Sequence, residues 1–232
     1  MRWKTLPGWA LLVALMIAMV PGFAAAQADG TPAASPQTPE QAVVWEELDG
    51  VQQAVMRTWG DIPEGTPAPG EIPALRFVTG LVVQFDGEEQ AAAGLGPIRD
   101  WMVASLQVNL VDVTVEVREA DVASLGDSSS AVTATGTAGD LPLSIAVVIV
   151  QDGDRILAVG GSIMAEENLL PLSEGVVREM LNREPGGEET QDNVGRFSGG
   201  LWDIFPEQDA AVLDGMRRQG DLPIYQVATP ES

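Results

Sequence analysis

Leu143-Ser144-Ile145-Ala146-Val147-Val148-Ile149-Val150-Gln151, then Asp152-Gly153-Asp154, then Arg155-Ile156-Leu157-Ala158-Val159-Gly160-Gly161-Ser162-Ile163 is the stretch that decides the fold. Two apolar, β-branched runs flank an Asp-Gly turn, which is a hairpin signal. Leu143 to Val150 is almost continuously apolar, so its strand belongs inside a sheet. The segment Leu141 to Val150 has only 10 residues and contains Pro142 and Ser144, so it is a core strand rather than a membrane span.

Upstream, Ser129 to Ala138 reads as a Ser/Thr/Val/Ala strand. Leu110 to Arg118 alternates cleanly, with Val111, Val113, Val115 and Val117 on one side and Asp112, Thr114, Glu116 and Arg118 on the other. One wet face points to an antiparallel sheet with its helices on the other face. Before it, Asp86-Gly87-Glu88-Glu89 starts a helix towards Gln107, with Asp86 as N-cap; Gly94, Gly96 and Pro97 divide it in two. Ala74 to Phe85 is a further strand, preceded by a Pro/Gly loop over 60–73. Residues 51–59 fit two templates. Val51, Gln53, Val55, Arg57 and Trp59 alternate as a strand, while Val44, Leu48, Val51, Val55 and Trp59 fit one face of a continuous helix. Asp49-Gly50 favours a helix from Thr38 that stops before a strand.

Downstream, Asn168 to Arg183 is a helix with Pro171 in its first turn and Leu172, Val176 and Met180 in one stripe. The order is (α)ββαββββα. The expected fold class is α+β: an antiparallel sheet of about five to six strands, two main helices on one face, and a short C-terminal helical extension. In that extension Pro206-Glu207 opens a helix to Gln219, and Trp202, Phe205 and Tyr225 dock on the domain. The expected domains are a signal peptide over 1–26, a linker over 27–37, the α+β domain over 38–183, an acidic linker over 184–195 and the extension over 196–232.

Arg2 and Lys4 precede the 12-residue apolar run Trp9 to Val20, and Ala24-Ala25-Ala26 offers a cleavage site. This is the pattern of a secretory signal without twin-Arg or a lipidated Cys. The expected location is secreted, periplasmic or cell-surface, with no stable membrane insertion after cleavage.

Composition narrows the chemistry. The chain has 232 residues, 12 Lys+Arg, 34 Asp+Glu, and neither His nor Cys, for a net charge of -22. Removing Arg2 and Lys4 with the signal leaves ten cations against 34 acids, a charge of -24. Such a chain repels nucleic acid. Lys4 is the only Lys. Disulfides, thiolate nucleophiles, Ser-His-Asp triads and Schiff bases are all excluded from the mature chain.

No catalytic or cofactor-binding residue stands out. Gly94-Leu95-Gly96-Pro97 lacks the Lys and the strand-to-helix setting of a phosphate loop. Ser128, Ser129 and Ser130 have no base, and with Asp127 they read as a turn that caps backbone N–H groups. Arg217-Arg218 sits in the last turn of the expected terminal helix, opposing its dipole. Calcium is the one plausible metal; Asp152, Asp154, Glu166, Glu167, Asp192 and Asn193 are loop oxygens without ligand spacing, and Asp152 and Asp154 are the candidates. The leading expectation is an exported, non-catalytic binding or envelope accessory domain for an unknown protein or small-molecule ligand. The rivals are a secreted carboxylate-dependent hydrolase and a calcium-stabilised extracellular module.

The run Phe85-Asp86-Gly87-Glu88-Glu89-Gln90-Ala91, then Leu125-Gly126-Asp127-Ser128, then Asp152-Gly153-Asp154-Arg155-Ile156 and an amphipathic helix, resembles a pattern in small exported bacterial α+β domains. These include the sensor-like extracellular domains of some actinobacterial kinases, related lipoproteins and, more distantly, the PsbP-like fold. The resemblance covers residues 73–183 and implies an α+β export domain. Those sensor domains usually carry cysteine pairs, and this chain has none, so no functional residue is carried over.

Overall fold

The decisive hairpin forms. In the computed structural model, which describes residues 47–61, 75–108, 113–186 and 200–226, Leu141–Asp152 (β5) and Arg155–Ile163 (β6) pair antiparallel around Gly153-Asp154. Five more strands join them: Val51–Asp61 (β1), Arg76–Phe85 (β2), Val113–Ala120 (β3), Ser128–Ala138 (β4) and Arg217–Gln226 (β7). The order across the sheet is β3-β4-β5-β6-β2-β1-β7, and every pairing is antiparallel. The fold is α+β, with seven strands among the described residues rather than the five to six expected.

Two helices, Glu88–Val108 (α1) and Leu170–Leu181 (α2), cover the sheet. They do not share a face. Leu143, Ile145, Val147 and Ile149 of β5 pack with Ala91, Ile98, Trp101 and Met102 of α1. Their neighbours Val148 and Val150 pack with Val176, Val177 and Met180 of α2. Successive strand residues point to opposite faces, so β5 is apolar throughout because each face has its own helix. The expectation of both helices on one face is corrected by this two-sided burial. It came from the alternation around Val113, and β3 turns out to be the edge strand.

The stretch 51–59 resolves as strand. Ala54 and Met56 face the α1 side while Val55 and Trp59 face the α2 side, a two-sided burial that also satisfies a helical pattern by eye. The α1 helix runs unbroken through Gly94, Gly96 and Pro97. It begins at Glu88, and the carboxylate of the expected cap, Asp86, instead accepts from Gln52 Nε2 on β1.

The C-terminal segment is not a helix to Gln219. After a short 3-10 turn at Leu201–Ile204 (η1), the chain makes successive turns and then adds β7 to the edge of β1. Leu201, Ile204, Phe205, Leu213 and Met216 cover the α2 face beside Trp59 and Val78. Docking through Phe205 and Trp202 takes place there, with Trp59 edge-on to Phe205 at 6.0 Å between ring centroids. Tyr225 packs against the cluster on the opposite, α1 face. Arg217 and Arg218 therefore open a strand rather than close a helix. The expected signal peptide over 1–26, the linker over 27–37 and most of the acidic linker lie outside the described residues. Among the described residues no helix is long and apolar enough to cross a membrane.

Candidate functional site

Threonines alternate on β4 at Thr133, Thr135 and Thr137. Period-two geometry puts them on one face, the face opposite Val132 and Ala134, which join the α1-side cluster. Thr135 and Thr137 are exposed. They pair in register with Ser144 and Pro142 of β5.

The segment Glu166–Leu169, which leads into α2, forms the opposing wall. Ser144 fastens it to the sheet: its Oγ donates to the Ala165 carbonyl at 2.7 Å and accepts from the Glu167 N–H at 3.2 Å. Arg76 Nη2 reaches both carboxylate oxygens of Glu167, at 2.7 and 2.9 Å. Asn168 Oδ1 accepts from the Leu170 N–H at 3.1 Å and so steadies the start of α2.

Between these walls lies a groove of about 650 Å³, lined by Thr133, Thr135, Thr137, Ser144, Glu166, Glu167, Asn168 and Leu169 among others. That volume falls within the range of small-molecule sites. Its polar atoms are hydroxyls, an amide and carboxylates. Ser144 is committed to the wall, and Glu167 is neutralised by Arg76. Glu166 and the three threonine hydroxyls have no hydrogen bond or ion pair that competes with a ligand as strongly. Trp59 and Trp101 are buried in the two cores and offer no platform to the groove. The arrangement can accept hydrogen bonds from several donors at once.

Of the residues singled out from the sequence, Glu166 and Glu167 line this groove, while the others that the structure describes lie elsewhere. Asp152 Oδ2 accepts from Arg155 Nε at 2.8 Å, so the guanidinium occupies this calcium candidate. Asp154 is exposed, and its backbone carbonyl is taken by the Phe85 N–H. Among the described residues no three His, Cys, Asp or Glu side chains gather as a metal cluster. Asp127 does cap a turn: its Oδ2 accepts from the Gly153 N–H at 2.8 Å, tying the loop before β4 to the β5–β6 hairpin. Ser129 Oγ lies 3.4 Å from the Leu125 N–H, a structural contact. Arg218 pairs with Asp221 at 3.5 Å rather than forming an anion clamp with Arg217.

The groove was not foreseen. Its sequence signals were Thr-x-Thr-x-Thr in a strand and the loop carboxylates Glu166 and Glu167. Which face those threonines share, and what stands opposite, depends on sheet order and on the loop before α2.

No family model matches the chain, and no curated protein matches it in sequence. Among solved structures the chain is similar to the extracellular domain of PknH from Mycobacterium tuberculosis. The two share 12% identity and a TM-score of 0.31, over 63% of this chain and 91% of that one.

Proposed function

We propose that this protein is an exported, non-catalytic binding domain. Its ligand site is the groove between β4 and the segment Glu166–Leu169. The ligand is a small neutral or cationic molecule rich in hydrogen-bond donors, such as an oligosaccharide or a polyamine. The groove itself carries the reading, because its hydroxyls and one uncompensated carboxylate converge on a ligand-sized space. The net charge of -22 adds a long-range preference against anions. The export pattern over residues 1–26 supports a site outside the cytoplasm.

Calorimetry with neutral oligosaccharides, linear polyamines and dicarboxylates tests the reading. At least one donor-rich class should bind, and dicarboxylates should not. Thr135→Val removes one hydroxyl at nearly constant volume, so it should weaken binding by roughly fivefold, about 1 kcal/mol. Glu166→Gln should weaken a polyamine more than a neutral sugar. Binding of dicarboxylates alone, or unchanged affinity in both variants, would overturn the proposal.

A further inference from the structure

The β3 edge carries a second surface, next to the groove: Glu116 and Arg118 pair in register with Thr135 and Thr133 of its wall. β3 pairs with β4 on one side, and among the described residues no strand lies beyond its other side. An open edge presents a row of backbone donors and acceptors that can template another strand. Glu116, Val117, Arg118 and Glu119 are all exposed, and Val117 is the one large hydrophobic residue exposed among the described residues, at 46%.

We infer that this edge pairs with a second copy of the same chain, β3 against β3 antiparallel, about a two-fold axis through Val117. Charge complementarity selects both the partner and the register. In a two-fold pairing with the axis perpendicular to the sheet, residues that face each other must point to the same face. Centring on Val117 places Glu116 opposite the partner's Arg118, and Arg118 opposite the partner's Glu116. Centring on Glu116 or on Arg118 sets like charges directly opposite, which is destabilising. Of these three registers, the one centred on Val117 sets opposite charges face to face in both copies.

In the single chain these side chains already lie on one face within reach of each other. Arg118 Nη2 is 2.8 Å from Glu116 Oε1, with both side chains 67% exposed. An intrastrand pair so exposed contributes little, so exchanging it for two reciprocal cross-strand pairs sacrifices little. On the opposite face Val117 would meet the partner's Val117. There it lines a groove of about 410 Å³ with Val103 and Ala104 of α1, and the partner strand would cover it. The result is a continuous sheet across the dimer. The acidity of the chain opposes association at low salt, but at physiological ionic strength the Debye length is about 8 Å. The overall repulsion is then screened more than the contacts at the edge.

Sedimentation velocity over a concentration series, near 0.15 M salt, tests the inference on the full secreted chain. The wild type should show a monomer–dimer equilibrium. Arg118→Glu makes the edge wholly acidic and Glu116→Arg makes it wholly basic at these positions. Each variant alone should raise the dimer dissociation constant about tenfold or more. Mixed in equal amounts, the two variants should form a heterodimer, and the double swap Glu116→Arg with Arg118→Glu should restore the homodimer. Circular dichroism checks that each variant is folded; these positions are exposed, so their fold should be unaffected. A wild type that stays monomeric throughout the series would overturn the inference. So would a dimer that ignores all three substitutions, or one found only with a heterologous peptide on β3.

Discussion

Gly94 and Gly96 lie two positions apart on α1 and differ in what a methyl group would meet. A Cβ at Gly94 would come within 2.7 Å of Phe85 Cζ, whereas a Cβ at Gly96 would have nothing within 4 Å. Gly96→Ala should therefore stabilise the protein by up to about 1 kcal/mol through helix propensity alone. Gly94→Ala should destabilise it, because overpacking costs about 1–3 kcal/mol and outweighs the same gain. Urea unfolding midpoints of the two variants should move in opposite directions. The sequence showed two glycines and a proline and so implied a break. It did not show that one glycine is there for Phe85. Nor did it show that Pro97, which removes one backbone bond, leaves a helix that burial of Ile98, Trp101 and Met102 holds together. A similar demand sits at Gly126, whose φ is +55° and whose Cβ would meet the Gln151 carbonyl oxygen.

At the scale of elements, the least legible part was β7. Its sequence, Arg217-Arg218-Gln219-Gly220-Asp221-Leu222-Pro223-Ile224-Tyr225-Gln226, has no steady alternation and contains Gly and Pro. Pro is tolerated on an edge strand, where one side needs no ladder bond, and the two register shifts against β1 absorb the irregularity. Besides its ladder with β1, β7 is held by a buried cross-strand ion pair. Arg57 Nε donates to Asp221 Oδ1 at 2.7 Å, with side chains only 5% and 6% exposed. The guanidinium lies 5.2 Å from the Phe205 ring centroid, so η1 and β7 are pinned together on β1. Asp221→Ala should cost about 3–5 kcal/mol, because it leaves the buried Arg57 only the exposed Glu207 carboxylate, 4.0 Å away, and also deprives Arg218 of its partner. Replacing both residues, Arg57→Met with Asp221→Leu, should recover most of that loss. A double-mutant cycle read by thermal melts checks the sign. In the sequence Arg57 was only one position of an alternating run, and nothing there connected it to an acid 164 residues away.

Across the whole molecule, the sequence located most strands but not how their faces are used. Two patterns in it conflicted. The continuous apolar run of β5 reported burial on both faces, while the alternation of β3 reported one wet face. Both reports were true of their own strands, one inside the sheet and one at its edge. Reading the second as a rule for the sheet put both helices on one side. With α2 and the C-terminal segment sharing one face over β5, β6, β2 and β1, that face of β4 is buried at Ala131 but left open towards Thr135 and Thr137, and its threonines become the wall of a groove. The candidate site thus follows from chain order and helix placement rather than from a local motif. The most direct test is a two-dimensional amide NMR titration of the folded domain with a donor-rich ligand identified by calorimetry. Shifts should cluster at Thr133–Thr137 and at Glu166–Leu169, and should need at least roughly fivefold more ligand in the Thr135→Val, Glu166→Gln double variant. Shifts centred on another face, or unchanged in that variant, would contradict the assignment of this groove as the binding site.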